Sequence, residues 1–540
     1  MAKTTTHDIA YNELDRQWKA ACSMLLGGEV GELSLYEPWL SSLKEKQGRG
    51  SSVVSGKPVE YAVPDYCPGA KGIGFEEIDF GKKFSLSMNE IKDIDSLLEA
   101  IQDRACYAGN IVLGNSKFIS GSSSVIDSFY VLGSNMVSES KCVAYSSIIK
   151  NSEFIFGTTL EDYSKFLVRG SDTYNNNRAL EIWSTYLCSD AYYLLRCENC
   201  HDCMFCFNLR GKRNAIGNLE LEKGKYLGIK KKLVSEMRQM LEKDKKLPSL
   251  IEIVAKADGK CTPEERKAIA ARGKRPEEKS SKKPIENAFA KASEVIFGKK
   301  LGPIDDYGPW LLQHVKACKE ASSAISDKKT LLGEFTPFTL FPKDRLLTME
   351  EGDVAGHILK ISEKEAEECS IENIHKSIGK IAYFASEIRL GENFNLLRTF
   401  LGYKAHNCYW GGIFSNTKYS AFSHFARNSD YMFGSTLSYG CTLCINCYNS
   451  NNISRSFEMD SCFSCSDCYF CHNCENLQNC MFCFNVKNKK YAIGNVEVGK
   501  QEFTRIKGLL LGKLLARLEA EKRFATDIYN IGCRKNSQSL

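Results

Sequence analysis

Two short segments hold most of the cysteines in this 540-residue chain, and they are where metal or redox chemistry would be expected. Five of the 24 cysteines lie between Cys188 and Cys206, and ten lie between Cys441 and Cys483. A shift of 277 in the numbering superimposes four cysteines of the first segment on four of the second. These are Cys188, Cys197, Cys203 and Cys206, matched by Cys465, Cys474, Cys480 and Cys483. Four thiolates are the ligand set of a tetrahedral zinc ion or an iron–sulfur cluster.

The spacing of these cysteines leaves two interpretations open. On a regular strand, residues three apart lie about 10 Å apart and face opposite sides, so shared chelation needs a turn inside each pair or ligands from adjacent coils. The alternative to a zinc or iron–sulfur site is a ladder of buried thiols with no metal, because cysteine is compact and tolerates burial. Disulfides are the least expected outcome in these segments. The N-terminus has no secretory signal, and the cytoplasmic location this predicts keeps thiols reduced.

The remaining residues do not predict a catalytic site. The sequence has no Ser-His-Asp pattern, phosphate-binding loop or HExxH string. Arg178 and Glu181 recur in the second half at the shift of 277 and are interpreted as a turn ion pair of little energetic value. His201 and His472 lie inside the cysteine segments but do not match under the shift, and each is interpreted as a surface turn residue. We therefore expect no catalytic residue, and no small-molecule substrate can be identified.

The segments that must position the cysteines also recur. The shift of 277 aligns residues 94–218 with the second half without a gap, and it places the segment 151–160 on 428–437. Further upstream, residues 36–40 (Tyr-Glu-Pro-Trp-Leu) resemble residues 307–311 (Tyr-Gly-Pro-Trp-Leu) at a shift of 271. A repeat of this length predicts a tandem duplication.

The spacing of β-type runs indicates how each half folds. Short runs closed by Gly, Ser or Asn recur between residues 111 and 157 without a helical period. In the second segment Cys462, Cys468, Cys474 and Cys480 recur every six residues, and in the first segment Cys188 and Cys206 lie 18 residues apart. This spacing predicts a triangular coil of three six-residue sides, whose handedness stays open. The predicted fold class is α+β. It is a tandem duplication in which each half has a helical or mixed N-terminal part and then a parallel β-solenoid (β-helix) with a Cys-rich tip.

This organisation predicts six segments. They are an N-terminal mixed helical segment (1–93), a first Cys-tipped β-solenoid (94–221), a basic helical linker (222–300), a mixed segment of the second half (301–370), a second Cys-tipped β-solenoid (371–498) and a C-terminal amphipathic helix (499–540). Leu14, Trp18 and Leu25 follow a helical spacing. Thr262 caps a predicted helix, because Pro and two Glu follow it directly.

Charge and hydropathy bear on the possible partners. The net charge of +6 is too small to indicate a nucleic-acid binder. Residues 222–300, however, hold 22 Lys and Arg against 12 Asp and Glu, and basic loops 208–213 and 485–490 follow the last cysteine of each segment. These residues could contact RNA phosphates, or the loops could cap the open end of the coil stack. The mean hydropathy is −0.30, and no run approaches the roughly 18 apolar residues of a spanning helix, so no membrane partner is expected.

The ends of both cysteine segments resemble a group of uncharacterised cysteine-rich microbial solenoid proteins, in which a run of CxxC strings precedes an Asn-Leu-Arg-x-Lys-type segment. The matching residues are Cys203-Met204-Phe205-Cys206-Phe207-Asn208-Leu209-Arg210-Gly211-Lys212 and Cys480-Met481-Phe482-Cys483-Phe484-Asn485-Val486-Lys487-Asn488-Lys489-Lys490-Tyr491. The resemblance implies a solenoid fold and carries no established function.

These observations favour a non-enzymatic cytoplasmic scaffold or interaction protein with a protein partner. Its cysteine clusters would bind zinc or an iron–sulfur cluster, or they would only pack in the core without a metal. One alternative is a zinc or iron–sulfur redox component, or part of an enzyme, that uses the eight matched cysteines. The other is an RNA- or ribosome-binding protein that uses residues 222–300 and the two basic loops.

Overall fold

The structure, a computed structural model, describes residues 5–274, 280–316, 318–334 and 338–533. The predicted linker and the predicted C-terminal segment therefore lie partly outside the described residues. About 30% of the chain is helical and 34% is strand, and the sheets are mostly parallel, which confirms the α+β class. The described α-helices are α1 (Thr6–Leu26), α2 (Glu37–Leu40), α3 (Ile94–Ala100), α4 (Lys223–Asp244), α5 (Leu250–Ala255), α6 (Pro263–Arg272), α7 (Lys283–Phe297), α8 (Gly308–Leu311), α9 (Met349–Ile358), α10 (Glu363–Glu368), α11 (Ile374–Ile378) and α12 (Lys500–Glu521).

The strands are short, and most belong to two large sheets. In chain order they are β1 (Arg49–Ser51), β2 (Pro58–Glu60), β3 (Gly72–Gly74), β4 (Tyr107–Gly109), β5 (Val112–Leu113), β6 (Lys117–Ser120), β7 (Ser123–Ile126), β8 (Phe129–Leu132), β9 (Asn135–Ser138), β10 (Lys141–Ala144), β11 (Ser147–Lys150), β12 (Glu153–Asp162), β13 (Lys165–Tyr174), β14 (Asn177–Tyr186), β15 (Ser189–Leu195), β16 (His201–Met204), β17 (Arg213–Ile216), β18 (Leu219–Glu220), β19 (Cys318–Ser322), β20 (Lys329–Gly333), β21 (Leu346–Leu347), β22 (Phe384–Ala385), β23 (Ile388–Leu390), β24 (Phe394–Tyr403), β25 (His406–Ser415), β26 (Lys418–Ala421), β27 (His424–Arg427), β28 (Asp430–Phe433), β29 (Thr436–Tyr439), β30 (Thr442–Tyr448), β31 (Ser454–Asp460), β32 (Tyr469–His472), β33 (Gln478–Met481), β34 (Lys490–Ile493) and β35 (Val496–Glu497).

The helix predictions that rest on local signals are confirmed. Leu14, Trp18 and Leu25 are buried along α1, and the Trp18 ring packs edge-on against Phe156 with ring centroids 5.5 Å apart. Thr262 caps α6, because its hydroxyl accepts the backbone N–H of Glu265 while the Glu265 carboxylate accepts the N–H of Thr262. This reciprocal capping satisfies two backbone donors that would otherwise be unpaired at the start of the helix.

The chain forms two compact units, each discontinuous in sequence. Unit 1 contains Met1–Gln47, Asn110–Pro276 and Glu320–Glu387. Unit 2 contains Gly48–Gly109, Glu277–Lys319 and Ile388–Leu540. Each large sheet therefore shares its unit with a segment that lies in the other half of the sequence. In unit 2 a disulfide joins Cys67 to Cys533, and both cysteines lie outside the two cysteine-rich segments.

Parallel pairing in both large sheets advances in steps of twelve along the sequence, except at β5 and β23, the first strand of each sheet, where the step is thirteen. In unit 1, Glu153 of β12 pairs with Lys165 of β13, which pairs with Asn177 of β14. In unit 2, Phe394 of β24 pairs with His406 of β25 in the same register. We call the stretch of chain that makes one such step a rung. The predicted coil of three six-residue sides is wrong, because that length spans one and a half rungs.

Each rung turns at every third residue. Between Leu160 and Asn208, every third residue has a positive φ in the left-handed region, and side chains as large as Tyr193 occupy these positions. The residue after each left-handed position is buried and faces the core of the sheet, so a rung has four inward positions. In unit 1 the largely apolar core cluster consists of such residues, from Val125 through Cys188 to Ala215. A step of three therefore keeps side chains on the inner face, whereas on a regular strand it would alternate faces.

Both sheets end in equivalent hydrogen bonds to a segment from the other half of the sequence. In unit 1, Asn208 Nδ2 donates to the carbonyl of Tyr383 at 2.8 Å. In unit 2, Asn485 Nδ2 donates to the carbonyl of Cys106 at 2.8 Å. The donors and the acceptors of these two bonds are both related by the shift of 277. The loops after the last cysteines are thus held by backbone of their own unit.

Candidate functional site

The structure brings the eight predicted ligands into adjacent rungs of each sheet. In unit 1, Cys197, Cys203 and Cys206 share one rung with Cys200, and these four cysteines fill all of its inward positions. Cys188 lies one rung earlier, where its Sγ is 3.3 Å from the backbone N of Cys200. A left-handed residue separates each successive pair in this rung, so the turn required for neighbouring thiols to converge is present.

The second segment has the same arrangement with one interruption. Cys465 shares a rung with Cys462, Cys468 and Cys471, which again fill all four inward positions. The other three predicted ligands in unit 2, Cys474, Cys480 and Cys483, follow in the next rung, where Leu477 occupies the fourth position. All of these cysteines are buried.

Each inward thiol has backbone acceptors. The Sγ of Cys197 lies 3.6 Å from the carbonyl of Leu195 and 3.4 Å from that of Cys206. Cys462 repeats this pattern, with 3.3 Å to both Asp460 and Cys471. In both cases one acceptor lies two positions before the cysteine and the other lies nine positions after it. A protonated thiol can satisfy its single donor in this way without a metal ion.

The thiols also act on one another. Burial raises the pKa of Cys197 well above its usual range. Hydrogen bonds from the thiols of Cys188, Cys197 and Cys203 lower the pKa of Cys200. In unit 2, bonds from Cys462 and Cys468 lower the pKa of Cys465 to about 5. Across residues 5–274, 280–316, 318–334 and 338–533, no group of three or more His, Cys, Asp or Glu side chains is arranged to hold a metal ion.

Cys200 is the member of the unit 1 cluster that the internal repeat does not select. Its counterpart at the shift of 277 is Leu477, so it has no matching cysteine in the second half. In the structure it completes the rung of four cysteines. In the sequence, the spacing of three residues from Cys197 to Cys206 is the pattern that includes Cys200. That spacing places all four side chains on the inner face only if the chain turns at every third residue, which the alternation of a regular strand does not suggest.

The interpretation of Arg178 and Glu181 as one turn ion pair is wrong. Arg178 pairs with Asp190 at the surface, with Nε 2.8 Å from Oδ1. Glu181 is buried and pairs instead with Arg169, whose side chain is only 2% exposed. Breaking an ion pair that is removed from water costs more than breaking an exposed one, because the remaining charge stays buried.

His472 is also misplaced by the sequence interpretation, because it is fully buried in unit 2. Its Nε2 accepts the backbone N–H of Ala108 at 2.9 Å, and its Nδ1 donates to Asp460 Oδ2 at 2.8 Å. Tyr66 donates its hydroxyl to the same oxygen at 2.7 Å. A backbone donor thus occupies the nitrogen that a general base would need, and the pair holds the segment of Ala108 in place.

A second titratable cluster in unit 2 surrounds His314. Its Nε2 lies 3.1 Å from Asp527 and its Nδ1 lies 3.5 Å from Asp65. Burial acts against the charged imidazole, but the hydrogen bonds to these two carboxylates prevail and raise the pKa of His314 to about 10. Burial and the charge of Asp527 raise the pKa of Glu458 to about 8. Glu458 accepts the backbone N–H of Ile528 at 2.9 Å, so the cluster anchors the chain that follows α12.

This cluster predicts that unit 2 loses stability as the pH rises. The folded-state pKa of His314 lies above its ordinary value of 6.5, so its contribution is complete below pH 6.5 and is lost as the pH approaches 10. The contribution of Glu458 is likewise lost between pH 4.5 and about 8. We expect a loss on the order of 3 kcal/mol between pH 5 and 10, measured by hydrogen exchange of peptides from 525–533.

The matched variants for this experiment are His314→Gln and His357→Gln, which changes an exposed histidine of α9. His314→Gln should lower stability at pH 6 and flatten the pH dependence between pH 8 and 10, where Glu458 no longer titrates, whereas His357→Gln should behave like the unaltered chain. If stability depended on pH equally steeply in both variants, the assignment of this pH dependence to His314 would be wrong.

Basic residues in both loops pair with carboxylates of their own units. Arg210 Nη2 lies 3.0 Å from Asp353, and Lys212 Nζ lies 2.6 Å from Glu220. In unit 2, Lys487 Nζ lies 2.6 Å from Glu475. These pairs involve three of the six basic residues of the two loops, and the RNA contacts stay a prediction.

Comparison of the chain with family models, curated proteins and solved structures gives no match. Within the described residues, every helix is too short or too polar to cross a membrane.

Proposed function

We propose that the chain is a non-enzymatic scaffold or interaction protein whose cysteines fill the interior of two β-solenoids related by tandem duplication. The register of twelve and the turn at every third residue support solenoid coils with four short sides. The recurrence of hydrogen bonds at a shift of 277 supports the duplication.

One observation carries the structural role of the cysteines: serine and cysteine replace each other in the same inward columns. Ser128, Ser140, Ser152 and Ser164 occupy the column that continues to Cys188 and Cys200 through Asn176. Ser152 donates its hydroxyl to the carbonyl of Lys150, two positions earlier, at 2.7 Å. Cys188 contacts the carbonyl of Tyr186 in the same way at 3.4 Å. The thiols continue a pattern of packing and backbone bonding that needs no metal.

The surroundings of the histidines and loops agree with this proposal. The buried His472 has both ring nitrogens engaged within unit 2. The basic residues Arg210, Lys212 and Lys487 form ion pairs inside their own units. The zinc or iron–sulfur site and the RNA contacts remain predictions. One preparation of the protein can test both of them together with the packing role of the cysteines.

Thiol reactivity is the test of the proposal. After anaerobic purification, almost none of the 22 free thiols should react with DTNB in the native chain, because all are buried. All 22 should react after unfolding, and 24 after reduction of the disulfide. Metal analysis should find less than one zinc or iron per chain, and no 260 nm absorbance should be lost on a salt wash.

Serine replacements provide the control. Changing Cys188, Cys197, Cys203 and Cys206 one at a time to serine should cost about 1 kcal/mol each and leave metal content unchanged. A stoichiometric metal that disappears in these variants would refute the packing role and favour the metal alternative. Nucleic acid that copurifies and is released by salt would favour the RNA alternative.

A further inference from the structure

Polar inward residues interrupt the core of unit 1 over three successive rungs, and we call this place the pocket. The first rung places Thr158 and Glu161 inward, and the next two place Thr173 and Thr185 above Glu161 in the same column. Gly170, which has no side chain, stacks on Thr158. Glu161 is 2% exposed, and among the described residues of this sheet it is the only acidic one at an inward position.

The oxygen atoms around this pocket lack the hydrogen bonds that other inward residues make. No hydrogen bond of ordinary geometry from the described chain reaches the hydroxyls of Thr158, Thr173 and Thr185. The two buried carboxylate oxygens of Glu161 also lack one, although the Ser164 hydroxyl and the Asp162 N–H lie close to them. Inward threonines in unit 2 behave differently, since Thr417 donates to the carbonyl of Ser415 at 3.0 Å. A buried unpaired oxygen costs about 1–3 kcal/mol, so five together call for a ligand.

We propose that Glu161, Thr158 and Thr173 bind a monovalent alkali cation inside unit 1. Carboxylate and hydroxyl oxygens are hard ligands suited to such an ion. Glu161 and Thr173 are direct cross-strand neighbours, and a cation midway between their rungs would lie about 2.4 Å along the stack from each. An ion at that position can reach the oxygens of Glu161, Thr158 and Thr173. The rung of Thr185 lies about 7 Å along the stack from it, so Thr185 borders the site without contacting the ion.

Charge balance selects the class of cation. Among the inward residues, Glu161 contributes one negative charge and its threonine neighbours contribute none. Asp162 and Asp172, whose charges also raise the pKa of Glu161, are not at inward positions. A monovalent ion leaves the pocket neutral, whereas a divalent ion would leave a net positive charge in a low-dielectric core. Burial raises the pKa of Glu161 well above its usual range, by more than the neighbouring Ser164 hydroxyl lowers it. A protonated carboxyl without a cation is therefore the competing state.

Unit 2 is a natural control for the pocket. At a shift of 277, Ser438 replaces Glu161, Ser450 replaces Thr173 and Cys462 replaces Thr185. The hydroxyl of Ser438 donates to the carbonyl of Thr436 at 3.2 Å, as other inward serines do. Within its described residues, unit 2 therefore has neither the carboxylate nor the unpaired oxygens at these positions, and its stability should not depend on the cation.

The test compares thermal unfolding of the full chain at pH 8 in potassium, sodium and tetramethylammonium chloride at equal ionic strength. The large organic cation cannot enter the pocket. We expect the Tm of unit 1, followed by hydrogen exchange of peptides from β12 to β14, to be about 5 °C higher in at least one alkali salt. Glu161→Gln should abolish the difference, and Ser438→Ala should retain it.

A crystal grown in rubidium chloride gives a second readout that does not depend on stability. An anomalous peak beside Glu161 is expected, and density there without anomalous signal would overturn the proposal. Equal Tm values in the three salts, or an alkali dependence that persists in Glu161→Gln, would also overturn it. A stability of unit 1, followed by the peptides from β12 to β14, that falls with rising pH equally in all three salts would overturn it as well, by assigning Glu161 to the protonated state.

Discussion

Residues 1–276 and 277–540, expressed separately, should each fail to fold stably and should form a one-to-one complex when coexpressed. Each unit takes a segment from the other half of the sequence: Glu320–Glu387 belongs to unit 1 and Gly48–Gly109 to unit 2. The first segment buries aliphatic residues such as Leu346 and Ile378. Each such side chain contributes roughly 1.5–3 kcal/mol, so losing the segment removes more than the 5–15 kcal/mol of a typical domain.

Size-exclusion chromatography and circular dichroism of the two fragments measure this outcome. The fragments alone should aggregate or show little cooperative unfolding, and the mixture should elute as one species with the spectrum of the intact chain. Asn208→Ala with Asn485→Ala should weaken the complex, because both amides hold the exchanged segments. Two fragments that fold as stable monomers and do not associate would contradict the assignment of Glu320–Glu387 to unit 1 and of Gly48–Gly109 to unit 2.

Arg169→Ala should destabilise unit 1 by about 3–5 kcal/mol, since it leaves Glu181 buried without its cation. The Arg169 guanidinium pairs with Glu181, donates to the carbonyl of Trp39, and lies 2.8 Å from Ser42 Oγ. Glu181 also accepts the indole N–H of Trp183 at 3.1 Å. Hydrogen exchange of peptides from 165–186 is the appropriate measurement, because a chain of two units need not unfold in one step.

The counterpart of Arg169 at the shift of 277 provides the matched control. Asn446 donates an amide to Glu458 at 2.9 Å, and the pKa of Glu458 of about 8 keeps this carboxyl mostly protonated at neutral pH. Asn446→Ala should therefore cost only about 1–2 kcal/mol. The double variant Arg169→Met with Glu181→Gln should recover most of the loss. Equal costs at both positions would show that the buried charge is not the cause.

Local sequence signals predicted the helices and the chemical character of the core. The spacing of Leu14, Trp18 and Leu25 and the cap at Thr262 act over a short stretch of chain, and both predictions are confirmed. The clustering of cysteine correctly marked a distinctive part of each sheet. These features depend on contacts between residues close in sequence, which one sequence can reveal.

The rung length could not be predicted in the same way. Turns at every third residue place Tyr193, Arg196 and Glu181 in the left-handed region, where glycine and asparagine are the usual signals. The cysteine spacings of 6 and 18 are both multiples of the three residues between turns, so they are compatible with several coil lengths. Only the strand pairing in the structure shows that the length is twelve residues.

The sequence by itself determined which residues are available: helix-forming segments, cysteines at multiples of three, and segments repeated at a shift of 277. Tertiary structure decided what they do. It turned Cys200 into the fourth member of a rung, buried His472 against Ala108, and placed Glu161 inside the core. It also assigned Glu320–Glu387 to unit 1. The physical reason is that inward orientation and segment exchange arise from strand register and contacts distant in sequence, and residue type alone does not encode either.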